Sequence, residues 1–380
     1  MNRFFSILQP QIAAFKMIKL TLVAGARPNF MKIAPMVHAI QAQQALGSTI
    51  SFRLVHTGQH YDKKMSGDFF DQLNIPEPNA NLGAGGGTQA EQTSAVMIAF
   101  EKELMENRPN LVIVVGDVTS TLACSIAAKK LNIDVAHVEG GIRSGDLSMP
   151  EEINRMVTDS ITDHFFTTSE IANENLRKSG FPEASIHFVG NTMIDTLMAN
   201  MDRFQIPEGK IYDTLKPKEY FVMTMHRPAN VDQEETLKEM IQAILDGTKG
   251  FPVVFPVHPR TAKILENMGI SDPNLHMTDP LGYLEFNYLV KNAKGVITDS
   301  GGITEEASVM NVPCMTLRNN TERAETIHLG TNELVGTDPK KLAPYLEKLM
   351  KGEWKQYQGI PMWDGKTAQR IVDKIISIYS

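Results

Sequence analysis

The sequence predicts an α/β protein made of two Rossmann-like domains with a cleft between them. Three observations carry this. Short, almost wholly apolar runs recur along the chain, as expected of parallel strands buried on both faces. Each run gives way to glycine and polar residues and then to a helical pattern, which is a β-turn-α unit. The series also restarts: one set of units ends near residue 205, and a second begins at Tyr220 after a stretch, 206–218, with two prolines and a glycine.

The totals allow such a fold and exclude others. The chain has 380 residues, 42% hydrophobic and 21% charged, enough to bury two cores without staples. Its net charge of -7 and lack of a long basic block argue against nucleic acid or an anionic membrane as partner. No apolar run is long enough to span a bilayer. The two cysteines, Cys124 and Cys314, sit in apolar contexts and read as buried thiols in a reducing, cytoplasmic compartment. Residues 1–16 hold Arg3 and a short apolar patch broken by Gln9-Pro10-Gln11, so they read as an extension outside the fold. The expected organisation is this extension, a first domain over 17–205, the linker 206–218, and a second domain over 219–380 whose last helix packs back on the first.

In the first half, the strand over 20–24 runs into Gly25-Ala26-Arg27-Pro28-Asn29 and a helix over 31–45. Lys32 in the first turn opposes the helix dipole, which points to an anion nearby. The strand over 52–55 ends in His56-Thr57-Gly58-Gln59-His60-Tyr61-Asp62. The glycine-rich run 82–88 has no strand before it and reads as a loop leading into a helix over 89–105. The strand over 111–115 delivers Asp117 at its carboxyl end, as helix cap or as catalytic group. The strand over 135–138 delivers Glu139-Gly140-Gly141, followed by a loop with Arg143 and Asp146 and a helix opening Glu151-Glu152-Ile153-Asn154-Arg155. Strands over 165–168 and 186–189 and a helix over 194–201 complete the domain. Open α/β sheets bind ligands at such strand ends, so Asp117, Glu139 and Glu151 are expected to converge. Three carboxylates near one point shift each other's pKa, as proton transfer at neutral pH requires.

The second half puts positive charge at the corresponding edge. The strand over 220–225 ends in His226-Arg227-Pro228-Ala229-Asn230, and the one over 253–257 in His258-Pro259-Arg260. Between an apolar strand and a helix over 303–310 lies Asp299-Ser300-Gly301-Gly302. The first amides of a helix have no internal partners and sit at its positive end, and two glycines admit an anion to them. Ser300, Gly301 and Gly302 are therefore a phosphate cradle, and Glu306, one turn on, suits a ribose diol. The strand over 314–317 then leads to Arg318-Asn319-Asn320-Thr321-Glu322-Arg323. One substrate fits both halves: its phosphates on the second, its chemistry at the first.

These motifs, in this order, resemble the non-hydrolysing UDP-N-acetylglucosamine 2-epimerases. The resemblance runs from about Leu20 to the C-terminus and rests on Gly25-Ala26-Arg27-Pro28 with Lys32, Gly116-Asp117-Val118-Thr119-Ser120, and the run from His137 to Asp146. It continues through Pro150-Glu151-Glu152 with Asn154-Arg155, His226-Arg227, Asp299-Ser300-Gly301-Gly302 with Glu305-Glu306, and Thr321-Glu322-Arg323. It implies a GT-B-like fold, a homodimer, and no metal or nicotinamide cofactor. It also implies inversion at C2 of UDP-N-acetylglucosamine through elimination of UDP to a 2-acetamidoglucal and re-addition, for surface polysaccharide precursors. Position by position it makes Asp117, Glu139 and Glu151 the acid/base groups. Arg27, His226, Ser300, Gly301 and Gly302 match diphosphate contacts and Glu306 the ribose contact, while Lys32, Arg143, Arg155 and Arg323 are further site positions. Gln59, Arg227 and His258 match a second, activating nucleotide-sugar site of some bacterial members, although Asp62 and Thr88 depart from that site's Gln and Arg. The chain also departs at Pro228-Ala229, where the family commonly has Arg-Glu. The competing readings are a nucleotide-sugar glycosyltransferase on the same fold, a non-catalytic nucleotide-sugar sensor, and an epimerase of a 2,3-diacetamido uronate.

Overall fold

The apolar runs become the strands of two parallel sheets in the computed structural model. It describes residues 17–380 apart from 59–69, 71, 232–233, 258–261, 264 and 267, with only the backbone of Arg27, Pro228 and Ala229. The first sheet is built from β1 (Ile18–Ala24), β2 (Ile50–His56), β3 (Ala80–Asn81), β4 (Leu111–Val115), β5 (Asp134–Val138), β6 (His164–Thr167) and β7 (Ile186–Phe188). Its helices are α1 (Arg27–Ala45), α2 (Gln89–Glu106), α3 (Thr119–Lys130), α4 (Pro150–Ser160), α5 (Glu170–Lys178) and α6 (Thr192–Asn200). The strand order is β3-β2-β1-β4-β5-β6-β7, and every pairing is parallel.

The second unit repeats the plan. Its strands are β8 (Phe221–Thr224), β9 (Val253–Pro256), β10 (Leu275–Thr278), β11 (Gly295–Thr298), β12 (Cys314–Thr316) and β13 (Asn332–Leu334). Its helices are α7 (Pro228–Val231), α8 (Glu234–Thr248), α9 (Tyr283–Asn292), α10 (Gly301–Val309), α11 (Ala324–His328) and α12 (Leu342–Met350), before a last helix α13 (Thr367–Tyr379). The order is β10-β9-β8-β11-β12-β13, again all parallel. In both sheets the order reverses between the first strand and the fourth, β1/β4 and β8/β11. A crevice opens at such a switch point, beyond the carboxyl ends of the strands, and ligands bind there.

Each sheet has its own core, with Leu22, Ile33, Met36 and Ile113 in the first and Phe221, Ile241, Phe255 and Ile297 in the second. The last helix crosses between them. Ala368, Ile371, Val372 and Ile375 of α13 are buried in the core of the first sheet. Asp195 of α6 accepts from the amides of Thr367 and Ala368 at 3.1 and 2.7 Å, capping α13 from another element. Both cysteines are free and buried.

Three local expectations are corrected. The glycine-rich run does have a strand before it, β3, whose two residues are too few to show a period. The helix after the first turn starts at Arg27 and not at Met31, because Pro28 in its first turn sets φ and needs no amide partner. The strand β13 and the helices α11 and α12 follow the arginine-rich loop, where the sequence reading named no elements.

Candidate active site

The site begins at a strained glutamate. Glu139 leaves β5 with φ of +73°, a backbone region that side chains other than glycine rarely adopt. The next two residues must be glycines. A Cβ on Gly140 would lie 2.9 Å from Phe165, and one on Gly141 2.4 Å from the carbonyl of Ala172. His137, fully buried, stiffens the frame: its Nε2 lies 2.8 Å from Gly116 O and its Nδ1 2.7 Å from Asp159. Asp159 also accepts from Gly141 N at 3.0 Å and lies 2.7 Å from Arg143 Nη1. Arg143 thus supports the turn from behind. The turn aims the Glu139 carboxylate, only 3% exposed, at the cleft.

Two cations hold that carboxylate. Lys32 Nζ donates to it at 2.8 Å, and Arg323 Nη2, from the second unit, at 2.7 Å. The lysine opposing the dipole of α1 therefore has its anion within the protein. Burial would raise the Glu139 carboxyl, but Lys32 and Arg323 outweigh it and hold it below the usual range. Glu139 is thus an ionised group held between a lysine of the first unit and an arginine of the second.

Asp117, at the end of β4, is the open carboxylate of the pair. It is about one-third exposed and takes both Nε and Nη2 of Arg155, at 3.0 and 2.6 Å. Asn154 Nδ2 donates to its carbonyl at 2.8 Å. Glu152 anchors the arginine from the other side at 2.5 Å and accepts from the amides of Ser144 and Gly145. Glu151 stands differently. It is exposed in the first turn of α4 and holds no hydrogen bond or ion pair among the described residues. The expected convergence therefore brings Asp117 and Glu139 to one edge, while the inward carboxylate of α4 is Glu152. The reason is helical phase: Glu152, Arg155 and Asp159 share the buried face. Glu151 lies one turn before Asn154 and Arg155 on the exposed side of α4.

The second unit is organised by Asp299 at the end of β11. It is fully buried and accepts from the amides of His226 and Arg227 and from Asn230 Nδ2, at 2.9–3.0 Å. His226 Nδ1 lies 2.7 Å from its other oxygen, which turns the exposed side of the imidazole outward. Burial opposes the charge, but His226 and these donors hold Asp299 at about 2. Beside it α10 starts at Gly301 with Ser300 as N-cap, and the Ser300 side chain makes no cap bond. Ser300, Gly301 and Gly302 thus leave the first amides of α10 open to an anion.

Three acids follow along or beside α10. Glu305, buried, lies 2.8 Å from Arg323 Nε and accepts from Asn191 Nδ2 at 2.8 Å. Burial and the charge of Glu139 raise its pKa despite the arginine. Glu306 accepts from Tyr283 OH at 2.7 Å, and burial lifts its carboxyl to about 7. Glu322 pairs with Arg318 at 2.7 Å. Arg227 is tied to Asp299 through its amide and through Nε to the carbonyl at 3.0 Å. Gln59, His258 and the Arg27 side chain lie outside the described residues. The sequence assigns no individual role to Asp299, Glu152, Asp159 or Asn191, and Arg318 enters only as part of an arginine-rich loop at the anion-binding edge. The signals for Asp299 are its position at the end of an apolar strand and its place in the Asp299-Ser300-Gly301-Gly302 motif.

A sequence model of the UDP-N-acetylglucosamine 2-epimerase family matches residues 43–376 of this chain. The UDP-N-acetylglucosamine 2-epimerase of Methanocaldococcus jannaschii is 40% identical over 367 residues, which cover 93% of this chain and 98% of that protein. The crystal structure of the M. jannaschii enzyme in complex with UDP-GlcNAc and UDP superposes with a TM-score of 0.83 at 40% identity, covering 96% of this chain and all of that one. The UDP-2,3-diacetamido-2,3-dideoxy-D-glucuronate 2-epimerase of Pseudomonas aeruginosa is 39% identical over 323 residues, 84% of this chain and 88% of that protein.

Proposed function

This chain belongs to the UDP-N-acetylglucosamine 2-epimerase family, and on that premise we propose that it inverts C2 of UDP-N-acetylglucosamine to give UDP-N-acetylmannosamine. It is an isomerase on a GT-B-like pair of Rossmann-like domains. The reaction removes the C2 proton to an enzyme base while the C1–O bond breaks, so that UDP leaves and a C1=C2 double bond forms. UDP then adds back at C1, and a proton is delivered to the other face of C2. Two groups of opposite placement serve this better than one, because the proton leaves from one face and returns to the other.

One observation carries the site assignment: Asp117 and Glu139 come from adjacent strand ends beside the β1/β4 switch point, each held by an arginine. We assign acid/base work to these two, with Glu151, exposed in the first turn of α4, as the third candidate. Departing diphosphate needs fixed donors and positive charge, which the first amides of α10, the exposed ring of His226 and Arg27 supply in this reading, with Lys32, already paired to Glu139, nearby on the first unit. Glu306 takes the ribose. Closure of the two halves keeps water from the glucal intermediate, and the linker 206–218 is the hinge in this reading.

The assembly is a homodimer in our reading, and α4 supports it. This helix is inverted: Glu152, Asn154, Arg155 and Asp159 are buried, whereas Ile153, Met156 and Val157 are exposed. Beside it Ile98 and Met105 of α2 are exposed too. A second copy would cover such a face, which monomers seldom leave open. The cytoplasm suits the free cysteines and a nucleotide-sugar substrate, and the product suits surface polysaccharide synthesis. Among the described residues no helix is long and apolar enough to cross a membrane.

The test is product analysis with UDP-N-acetylglucosamine. An equilibrium mixture with UDP-N-acetylmannosamine supports the reading. Free N-acetylmannosamine and UDP would make the enzyme a hydrolysing one, and turnover only of a 2,3-diacetamido uronate would shift the sugar.

A further inference from the structure

The phosphate cradle already has an anion beside it. Glu322 Oε1 lies 2.8 Å from where a Cβ on Gly301, the first residue of α10, would stand. Arg318 Nη2 donates to the Glu322 carboxylate at 2.7 Å. Arg323 and Arg155, one from each side of the cleft, act on it as well. Burial opposes its charge, but Arg318 and then the other two arginines hold its pKa at about 2. The loop that carries it spans the cleft, with Asn320 Nδ2 donating to Asp146 at 3.2 Å and Arg323 to Glu139 at 2.7 Å.

A second observation at the same place points to a ligand. Arg318 is 4% exposed, and its Nη1 has no hydrogen-bond partner among the described residues. That nitrogen lies 3.9 Å from the same point above Gly301. A buried guanidinium donor left unmet is costly, and an anion oxygen at the start of α10 would meet it. Two anions cannot share so small a space, because their repulsion in a desolvated site is large.

We propose that Glu322 is a resident anion of the diphosphate cradle, which the nucleotide diphosphate displaces, and that Arg318 then serves as a diphosphate ligand. Glu322 keeps Arg318 and the amides of α10 arranged, and it competes with the substrate for them. This rests on the cradle reading of Ser300, Gly301 and Gly302 above. It adds two residues to that site and gives them opposite effects on affinity.

The test is calorimetric titration of full-length protein with UDP, inorganic pyrophosphate and uridine. Glu322→Gln should bind UDP and pyrophosphate about tenfold more tightly than wild type, a change of about 1.4 kcal/mol, with uridine unchanged. Arg318→Ala should lose about tenfold or more for UDP and pyrophosphate, again with uridine unchanged. Equal or weaker UDP binding by folded Glu322→Gln overturns the competitor role. Should Glu322→Gln not fold, a crystal structure of wild type with UDP decides the matter. The Glu322 carboxylate withdrawn from Gly301 supports the proposal, and the carboxylate in place beside the bound diphosphate overturns it. Wild type that binds uridine but neither UDP nor pyrophosphate would instead sink the cradle itself.

Discussion

Single residues divide the chemistry here into groups that react and groups that hold them. Asp117 and Glu139, the two proposed acid/base groups, are each fixed by an arginine. Asp117→Asn and Glu139→Gln should each lower kcat by about a hundredfold to ten-thousandfold while UDP still binds, because each removes a proton-transfer group and leaves the cradle intact. Steady-state kinetics with a parallel UDP titration checks both. Asp299 is of the other kind. It has four partners among the His226 and Arg227 amides, Asn230 and the His226 ring. Asp299→Ala should cost about 3 kcal/mol or more in denaturant unfolding, since it strands buried donors, and it should raise KM by freeing His226.

At the scale of elements, the turn after β5 is the least forgiving feature. Gly141 has φ of +81° and no room for a Cβ beside Ala172. Gly141→Ala should destabilise by about 3 kcal/mol or more, read as a lower thermal midpoint, and should cost activity by moving Glu139. Much of this scale was legible beforehand. Wholly apolar runs such as 111–115 mark strands buried on both faces, and the polar residues after them mark the carboxyl edge of the sheet. The strand β3 was not legible, because two residues carry no period. The phase of α4 was not legible either. Its polar residues face both inward and outward and its apolar ones face out, so amphipathicity misleads about which glutamate is buried. Nor could the sequence show that Lys32 is satisfied by Glu139, since that pairing spans 107 positions and depends on strand order.

The whole molecule is held together by contacts that bridge its two sheets. Arg323 pairs with Glu139, Asn191 with Glu305, and α13 runs from the second unit into the core of the first. Removing residues 367–380 strips Ile371, Val372 and Ile375 from that core. At about 2 kcal/mol per buried side chain, the loss approaches the whole stability of a typical domain. The truncated protein should therefore fail to fold, seen as loss of a cooperative unfolding transition.

The same region sets an acid limit. His164 and His187 stack with ring centres 6.1 Å apart beside Tyr379 of α13, whose hydroxyl donates to Asp134 at 2.8 Å. Burial, then Lys374, lowers His187 from 6.5 to about 4, and burial lowers His164. The unfolded chain then binds protons that the folded one refuses, so this stability is present above pH 6.5 and is lost as pH falls toward 4. Thermal midpoints should drop across that window, and His187→Gln should flatten the drop by on the order of 1 kcal/mol.

The central claim is that this cleft removes and returns the proton on C2. It is tested most directly by incubating the enzyme with UDP-N-acetylglucosamine in deuterated water and following C2 by proton NMR. The account predicts that the C2 proton signal is lost while UDP-N-acetylmannosamine accumulates with deuterium at that carbon. Product that retains its C2 proton, or no turnover by protein that binds UDP, would contradict it.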